Sequence, residues 1–282
     1  MARVRICPHL GRIRAVLHDG ASILRANAGE RLADNRRAVR PACVVEPQGL
    51  HAGAGTANRL RRALLSWSGG KDCAWALERL RGTDIQVVGL LTTINEKADR
   101  VAMHGVRREL IEEQARSIGI PLWLAPLPWP CPNGRYEEVM AEACRRAVNS
   151  GITLVVFGDL FLADIRAYRE RMLSGTGLEP IFPLWDVPTG ALAVEMLAGG
   201  LRARVACIDR KVLDTSFAGR EFDAKFLADL PPGADPCGEN GEFHTFVFDG
   251  PMFSRPVAVE PVSLHEDGDF TFADLLCPVS SL

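Results

Sequence analysis

The sequence has no run of about 18 uninterrupted apolar residues, the length that a membrane-spanning helix requires. Its first residues carry arginine but lack the apolar segment of a secretory signal. Lysine is scarce. The 33 basic residues divide into 29 arginines and four lysines, a bias expected of a GC-rich bacterial genome. Eight cysteines in 282 residues are too sparse for a disulfide scaffold. They stand at 7, 43, 73, 131, 144, 207, 237 and 277, so none forms a C-x-x-C pair. That absence excludes the usual zinc-ribbon, iron–sulfur and thioredoxin-type signatures. A soluble globular protein of a reducing, cytoplasmic compartment is the expectation that remains.

The formal net charge of −2 hides an uneven distribution. Residues 1–62 hold 12 arginines and four acids, a net of +8, which leaves −10 for the other 220 residues. An acidic body argues against a general nucleic-acid binder, which needs a basic face. The first 61 residues show little periodicity and a Gly/Ala tract from His51, so they are expected to be a poorly ordered basic extension. The full sequence is 47% hydrophobic, ample for a large core.

From residue 62 the pattern reads as strand, helix, strand, helix. Ala63–Trp67, Ile85–Leu91, Pro121–Leu124 and Ile152–Phe157 are short apolar runs, as expected of strands covered on both faces. Between them, 73–81, 105–118 and the stretch bearing Tyr136, Val139, Met140, Ala143, Ala147 and Val148 repeat at helical spacing. Alternation of this kind predicts an α/β fold with a doubly wound parallel sheet over 62–178. After 178 the texture changes: helices at 188–198 and 220–230, a strand at 204–208, Gly and Pro clusters around 243–248, and two later short strands with Glu266-Asp-Gly-Asp as the turn between them. A smaller α+β domain is expected over 179–282. Trp67, Trp75, Trp123 and Trp129 are assigned to the core.

The segment richest in chemistry is Ser68-Gly69-Gly70-Lys71-Asp72-Cys73, between the first strand and its helix. Glycines bare the backbone to a ligand. The helix start adds unpaired N–H groups and the positive end of the dipole. Lys71 adds a full charge, and the whole suits a phosphate or pyrophosphate. A serine-capped glycine turn would share the S-G-G, but not its place at the carboxyl end of a parallel strand, where ligands collect in open α/β sheets. The spacing matches neither G-x-x-x-x-G-K-[ST] nor G-x-G-x-x-G.

Ser68-Gly-Gly-Lys-Asp resembles the signature of the PP-loop ATP pyrophosphatases, and Cys73 stands where that signature has Ser or Thr. Phe157-Gly-Asp-Leu-Phe-Leu-Ala-Asp-Ile-Arg-Ala-Tyr-Arg-Glu170 and Gly238-Glu-Asn-Gly-Glu-Phe-His-Thr245, with Met103-His104, are similar to the diphthine–ammonia ligase family (DUF71, ATP-binding domain 4). The similarity covers about 62–250. It implies a HUP-type domain (adenine nucleotide alpha hydrolase-like) that cleaves ATP to AMP and pyrophosphate, with Mg²⁺. It also implies a carboxylate substrate, small or protein-borne, that is adenylated and then amidated by ammonia or an amine.

Several further residues fit that reading. Asp159 closes the fourth strand and offers oxygen to Mg²⁺ or to a substrate amine, or else simply caps a helix. Arg166 either contacts substrate or pairs with Glu170 four residues on. Glu239, Asn240, Glu242 and His244 crowd around two glycines before an apolar strand. Glu239, Glu242 and His244 are candidates to position the acceptor, hold ammonium or act as general base. His104 either meets substrate or caps the helix after it. Adenine is expected against backbone near Leu91–Thr93. Cys131 and Cys237, being unpaired, are not expected to carry sulfur.

Two rival readings differ in what they require. A tRNA-modifying PP-loop enzyme would bring cysteine pairs or a basic groove, and the chain shows neither. A HUP protein that only senses ATP would release no pyrophosphate. No membrane or nucleic-acid partner is expected, and the reading leaves room for a homodimer. The basic head contributes nothing to the resemblance, so its deletion is expected to leave activity unchanged.

Overall fold

The computed structural model describes residues 60–278. The expected basic extension therefore lies outside the described residues, apart from its last two positions, and Arg61 already begins the first strand. Five parallel strands form the first sheet in the order β4-β2-β1-β5-β6. They are β1 (Arg61–Ser66), β2 (Ile85–Asn95), β4 (Leu122–Leu127), β5 (Leu154–Val156) and β6 (Glu179–Ile181). The helices between them are α1 (Lys71–Arg79), α2 (Arg108–Ile118), α3 (Asn133–Asn149) and α4 (Ala163–Leu173). A two-residue strand, β3 (Arg100–Val101), pairs antiparallel with the end of β2, so the sheet is not purely parallel.

Beyond α5 (Thr189–Ala198) the chain builds a second, antiparallel sheet in the order β8-β7-β10-β9. Its strands are β7 (Arg202–Asp209), β8 (Phe243–Asp249), β9 (Glu260–Asp267) and β10 (Phe270–Leu276). Gly268, at φ +57°, makes the tight turn of the β9–β10 hairpin that the sequence predicts. The helix expected over 220–230 shrinks to α6 (Ala224–Asp229), because the Asp223 carboxylate caps it by accepting from Phe226 N. One apolar core runs through both sheets, from Leu65, Trp67 and Leu90 past Leu192 and Met196 to Val205, Phe243 and Phe246.

Three predicted core positions lie elsewhere. Val148 is 40% exposed near the end of α3, although its spacing matches the buried face. Trp123 is half-buried, with the Arg146 guanidinium 3.9 Å from its ring centre, and Trp129 is half-buried as well. Among the described residues no helix is long and apolar enough to cross a membrane. None of the six described cysteines is in a disulfide.

The second sheet grips the first through one carboxylate. Asp274 on β10 accepts from Arg100 at 2.8 Å and from Arg107 at 2.9 and 2.7 Å. The Arg107 hydrogen bonds, and then Arg100, hold its carboxyl down at about 2 despite partial burial. A depressed carboxylate stabilises the fold above its unfolded value, and that contribution is lost as pH falls through about 2. Asp274→Asn is therefore expected to cost about 2 kcal/mol at pH 7, read from urea unfolding. An unchanged midpoint would show that the clamp carries no stability.

Candidate active site

Chain order reverses at β1, which has β2 on one side and β5 on the other. A crevice must open there, at the carboxyl ends of both strands. The cleft at this point has a volume of about 240 Å³. Ser68, Lys71, Asp72, Cys73, His104, Asp159, Glu239 and His244 all line it. Eight sequence-predicted residues, drawn from four separate segments, thus meet in one place.

The glycine loop is shaped by neighbours on both sheets. Gly69 sits at φ +79°, a conformation that side chains resist. Its carbonyl accepts from Val247 N at 2.8 Å and from Gln114 Nε2 at 3.0 Å. Gln114 is fully buried and satisfied, since it also accepts from Trp67 Nε1 and donates to Val247 O. Lys71 N donates to Thr245 Oγ1 at 3.0 Å, so β8 holds the start of α1 directly. The N–H groups of Asp72 and Cys73, in that first turn, have no intrahelical carbonyl to reach. Cys73 Sγ donates back to Gly70 O at 3.1 Å and lies 3.6 Å from Ser68 Oγ. Burial pushes its thiol up, so it remains a neutral group.

Lys71 does not project freely into the cleft. Its ammonium donates to both Asp72 oxygens, at 2.9 and 2.8 Å, and to the carbonyl of Cys237. It lies 5.4 Å from the Phe243 ring centre, and the side chain is 2% exposed. Burial opposes its charge, but Asp72, together with Cys237 and Glu239, outweighs that penalty and the Lys71 pKa is raised. Burial likewise pushes the Asp72 carboxyl up, against the pull of Lys71.

The loop before β8 organises itself around Asp235. Its carboxylate accepts from Cys237 N, Glu239 N and the Thr189 hydroxyl. Glu239 reaches across to accept from Leu160 N at 3.0 Å, just after β5. Burial, reinforced by the Asp72 charge, raises the Glu239 carboxyl to about 8. Glu242 and Asn240 stand apart from the cleft lining. Glu242 is buried and accepts from Asp235 N and from Asn240 Nδ2, which makes both structural supports of this loop.

The raised Glu239 carboxyl has a thermodynamic consequence. The folded state binds its proton more tightly than the unfolded chain, so stability falls as pH rises from about 4.5 through about 8. Glu239→Gln keeps the acceptor for Leu160 and removes the ionisation. Its melting temperature is expected to match the parent near pH 4 and to exceed it above pH 8, by a few kcal/mol in stability. A difference independent of pH between 4 and 9 would contradict this account.

His104 and His244 pack with ring centres 4.6 Å apart, one from the segment after β3 and one from β8. His104 is not a helix cap: α2 starts later, with Arg107 at the N-cap. Gly105 makes room behind it, at φ +67°, where a Cβ would lie 2.7 Å from Phe272. Arg166 lies outside the cleft lining. It pairs with Glu170 at 2.8 Å and stacks between Phe182 and Trp185. Its neighbour Arg169 lines the cleft instead, paired with Asp159 at 3.4 Å and packed 4.9 Å from the Phe157 ring centre.

Leu91 and Thr93 border the cleft, as expected for an adenine site, together with Tyr136 and Met140 of α3. Their carbonyls already accept from Trp67 N and Ala102 N, respectively. Sequence reasoning did not single out Arg169, Gln114 or Thr245. Arg169 lies three residues after Arg166, less than one helical turn on and about 60° around the helix from it.

The family models that match this chain are the diphthamide synthase N-terminal domain, over residues 61–180, and the diphthamide synthase C-terminal domain, over 189–275. The chain belongs to the diphthine–ammonia ligase family. Curated members similar to it, each named diphthine–ammonia ligase, come from Danio rerio, Homo sapiens and Bos taurus. The Danio rerio protein is 23% identical over 72% of this chain and 89% of its own length. The human protein is 29% identical over 76% of this chain and 87% of its own, and the bovine one 23% identical over the same shares. These family members are ligases by name, and the two matched domains meet here at the cleft between the sheets.

Proposed function

We propose that the protein is an ATP-dependent, AMP-forming ligase that adenylates a substrate carboxylate and amidates it with ammonia or an amine. One observation carries the reading: the glycine loop of the first sheet and Glu239 and His244 of the second border a single cleft. The names of the relatives supply the pairing of a carboxylate, diphthine, with ammonia. A diphthine-like carboxylate is the proposed acceptor.

The residues suit ATP as substrate. The bare backbone of Gly69 and Gly70 and the first turn of α1 receive the pyrophosphate end. Leu91, Thr93, Tyr136 and Met140 receive the nucleoside. The implied Mg²⁺ also fits the donors present. Among the described residues no cluster of three or more His, Cys, Asp or Glu side chains could hold a metal alone. Mg²⁺ needs only one or two protein carboxylates beside phosphate and water, and the carboxylates of Asp72 and Asp159 border the cleft. Mg²⁺ held there supplies charge neutralisation for the leaving pyrophosphate.

Glu239 is the proposed base. Its carboxyl, raised to about 8, takes a proton from ammonium once ionised, freeing the lone pair that attacks the acyl-adenylate. His244 and His104 frame that attack from opposite sheets. The amidation rate is expected to rise with pH through about 8, and Glu239→Gln to flatten this limb.

The test is product analysis. The protein is incubated with MgATP, ammonium chloride and a panel of carboxylates that includes diphthine-bearing protein. AMP and pyrophosphate in equal amounts are expected. ADP as product, or no acceptor-dependent turnover across the panel, would overturn the reading.

A further inference from the structure

The cleft is lined by carboxyl groups and poor in available positive charge. Asp72, Asp159 and Glu239 line it, and the full cations among its described lining residues are Lys71 and Arg169. An ammonium has three N–H donors. Those of Lys71 are matched by the two Asp72 oxygens and the Cys237 carbonyl, in a side chain sealed from solvent. Lys71 cannot serve an anion without leaving that nest.

Arg169 differs. Its guanidinium has five N–H donors, and only Nε is used, towards Asp159 Oδ2 at 3.4 Å. No described group accepts from its two terminal nitrogens. Asp159 on one side and the Phe157 ring on the other fix the planar group, and the side chain is 22% exposed. Such a preset fork matches the paired oxygens of a phosphate. Its place is also telling. Gly158, just before Asp159, lies against the backbone of Asp72 and Cys73, so Asp159 marks the phosphate end. Arg169 itself neighbours Tyr136, at the nucleoside end.

We infer that Arg169, held by Asp159, grips the α-phosphate of the bound nucleotide, between the nucleoside end and the glycine loop. The inference rests on the ATP-binding reading and adds to it the residue that recognises this phosphate. A guanidinium there also neutralises charge as the α–β bond breaks.

Calorimetric titration of the full chain with AMP and with adenosine tests it. Arg169→Gln is expected to weaken AMP at least tenfold and to change adenosine less than twofold. Arg169→Lys, which restores a point charge without the fork, is expected to recover part of the AMP affinity. Unchanged AMP binding by Arg169→Gln would overturn the inference while leaving the ATP reading intact. Equal loss of AMP and adenosine would also overturn it, since that marks a structural role. A parent protein that binds neither compound would overturn the ATP reading and the inference together.

Discussion

Lys71→Met is expected to destabilise the protein by about 3 kcal/mol, because it leaves the partly buried Asp72 carboxylate and the Cys237 carbonyl without their donor. The ammonium of Lys71 is sealed between Phe222 and Phe243, and its three donors satisfy Asp72 and Cys237. Methionine fills much of the same space but donates nothing. The cost is bounded, since Asp72 can escape by taking up a proton. Burial already pushes its carboxyl up, and loss of Lys71 pushes it further. The deficit should therefore shrink as pH is lowered through the Asp72 titration. Pairing Lys71→Met with Asp72→Asn removes both charges and should recover more than half of the loss, a coupling that a double-mutant cycle measures. Urea unfolding at pH 7.5 and pH 5 checks each point. A single variant within about 0.5 kcal/mol of the parent would show that the pair is not a structural seam.

That result would also separate two roles that the motif merges. Read as a string, S-G-G-K-D offers a lysine to phosphate, because a charged residue in a glycine loop has an obvious use. The string does not reveal that Asp72 and the carbonyl of Cys237, 166 residues away, converge on the same ammonium. Strand runs and helical periods, by contrast, depend on local spacing, and they located β1, β2, β4, β5 and α1 to α3 to within a few residues. β6 escaped because three residues, one of them a proline, carry almost no pattern. β3 escaped for the same reason, although it anchors the turn that delivers His104. The cleft residues were legible as types in motifs, whereas the choice among neighbours was not. Arg166 and Arg169 differ by less than one helical turn, and only packing decides which one faces the cleft. Glu239 and Glu242 differ likewise, one bordering the cleft and one bracing the loop behind it.

With ATP as the proposed substrate, Gly158→Ala is expected to lower kcat/KM at least 100-fold while leaving most of the fold intact. The backbone angle at Gly158 is one that alanine tolerates, so the penalty is purely one of space. A Cβ there would lie 2.8 Å from both the Asp72 carbonyl carbon and Cys73 N, and 3.0 Å from Asp72 O. All three atoms belong to the first turn of α1, so no side chain can swing aside. Either the segment after β5 or the start of α1 must retreat, and both carry cleft residues: Asp159 on one, Lys71, Asp72 and Cys73 on the other. A displacement of about 1 Å at a reacting geometry costs about 100-fold in rate. Overpacking of this kind costs about 1–3 kcal/mol in stability, well short of unfolding a domain of this size. Gly190→Ala supplies the contrast. It lies in α5, where a Cβ would meet nothing within 4 Å, so alanine should stabilise by about 0.5–1 kcal/mol. Steady-state pyrophosphate release and thermal melts on both variants make the comparison. If Gly158→Ala keeps parental kcat/KM, the close approach of the segment after β5 to the start of α1 does not set the geometry of the cleft.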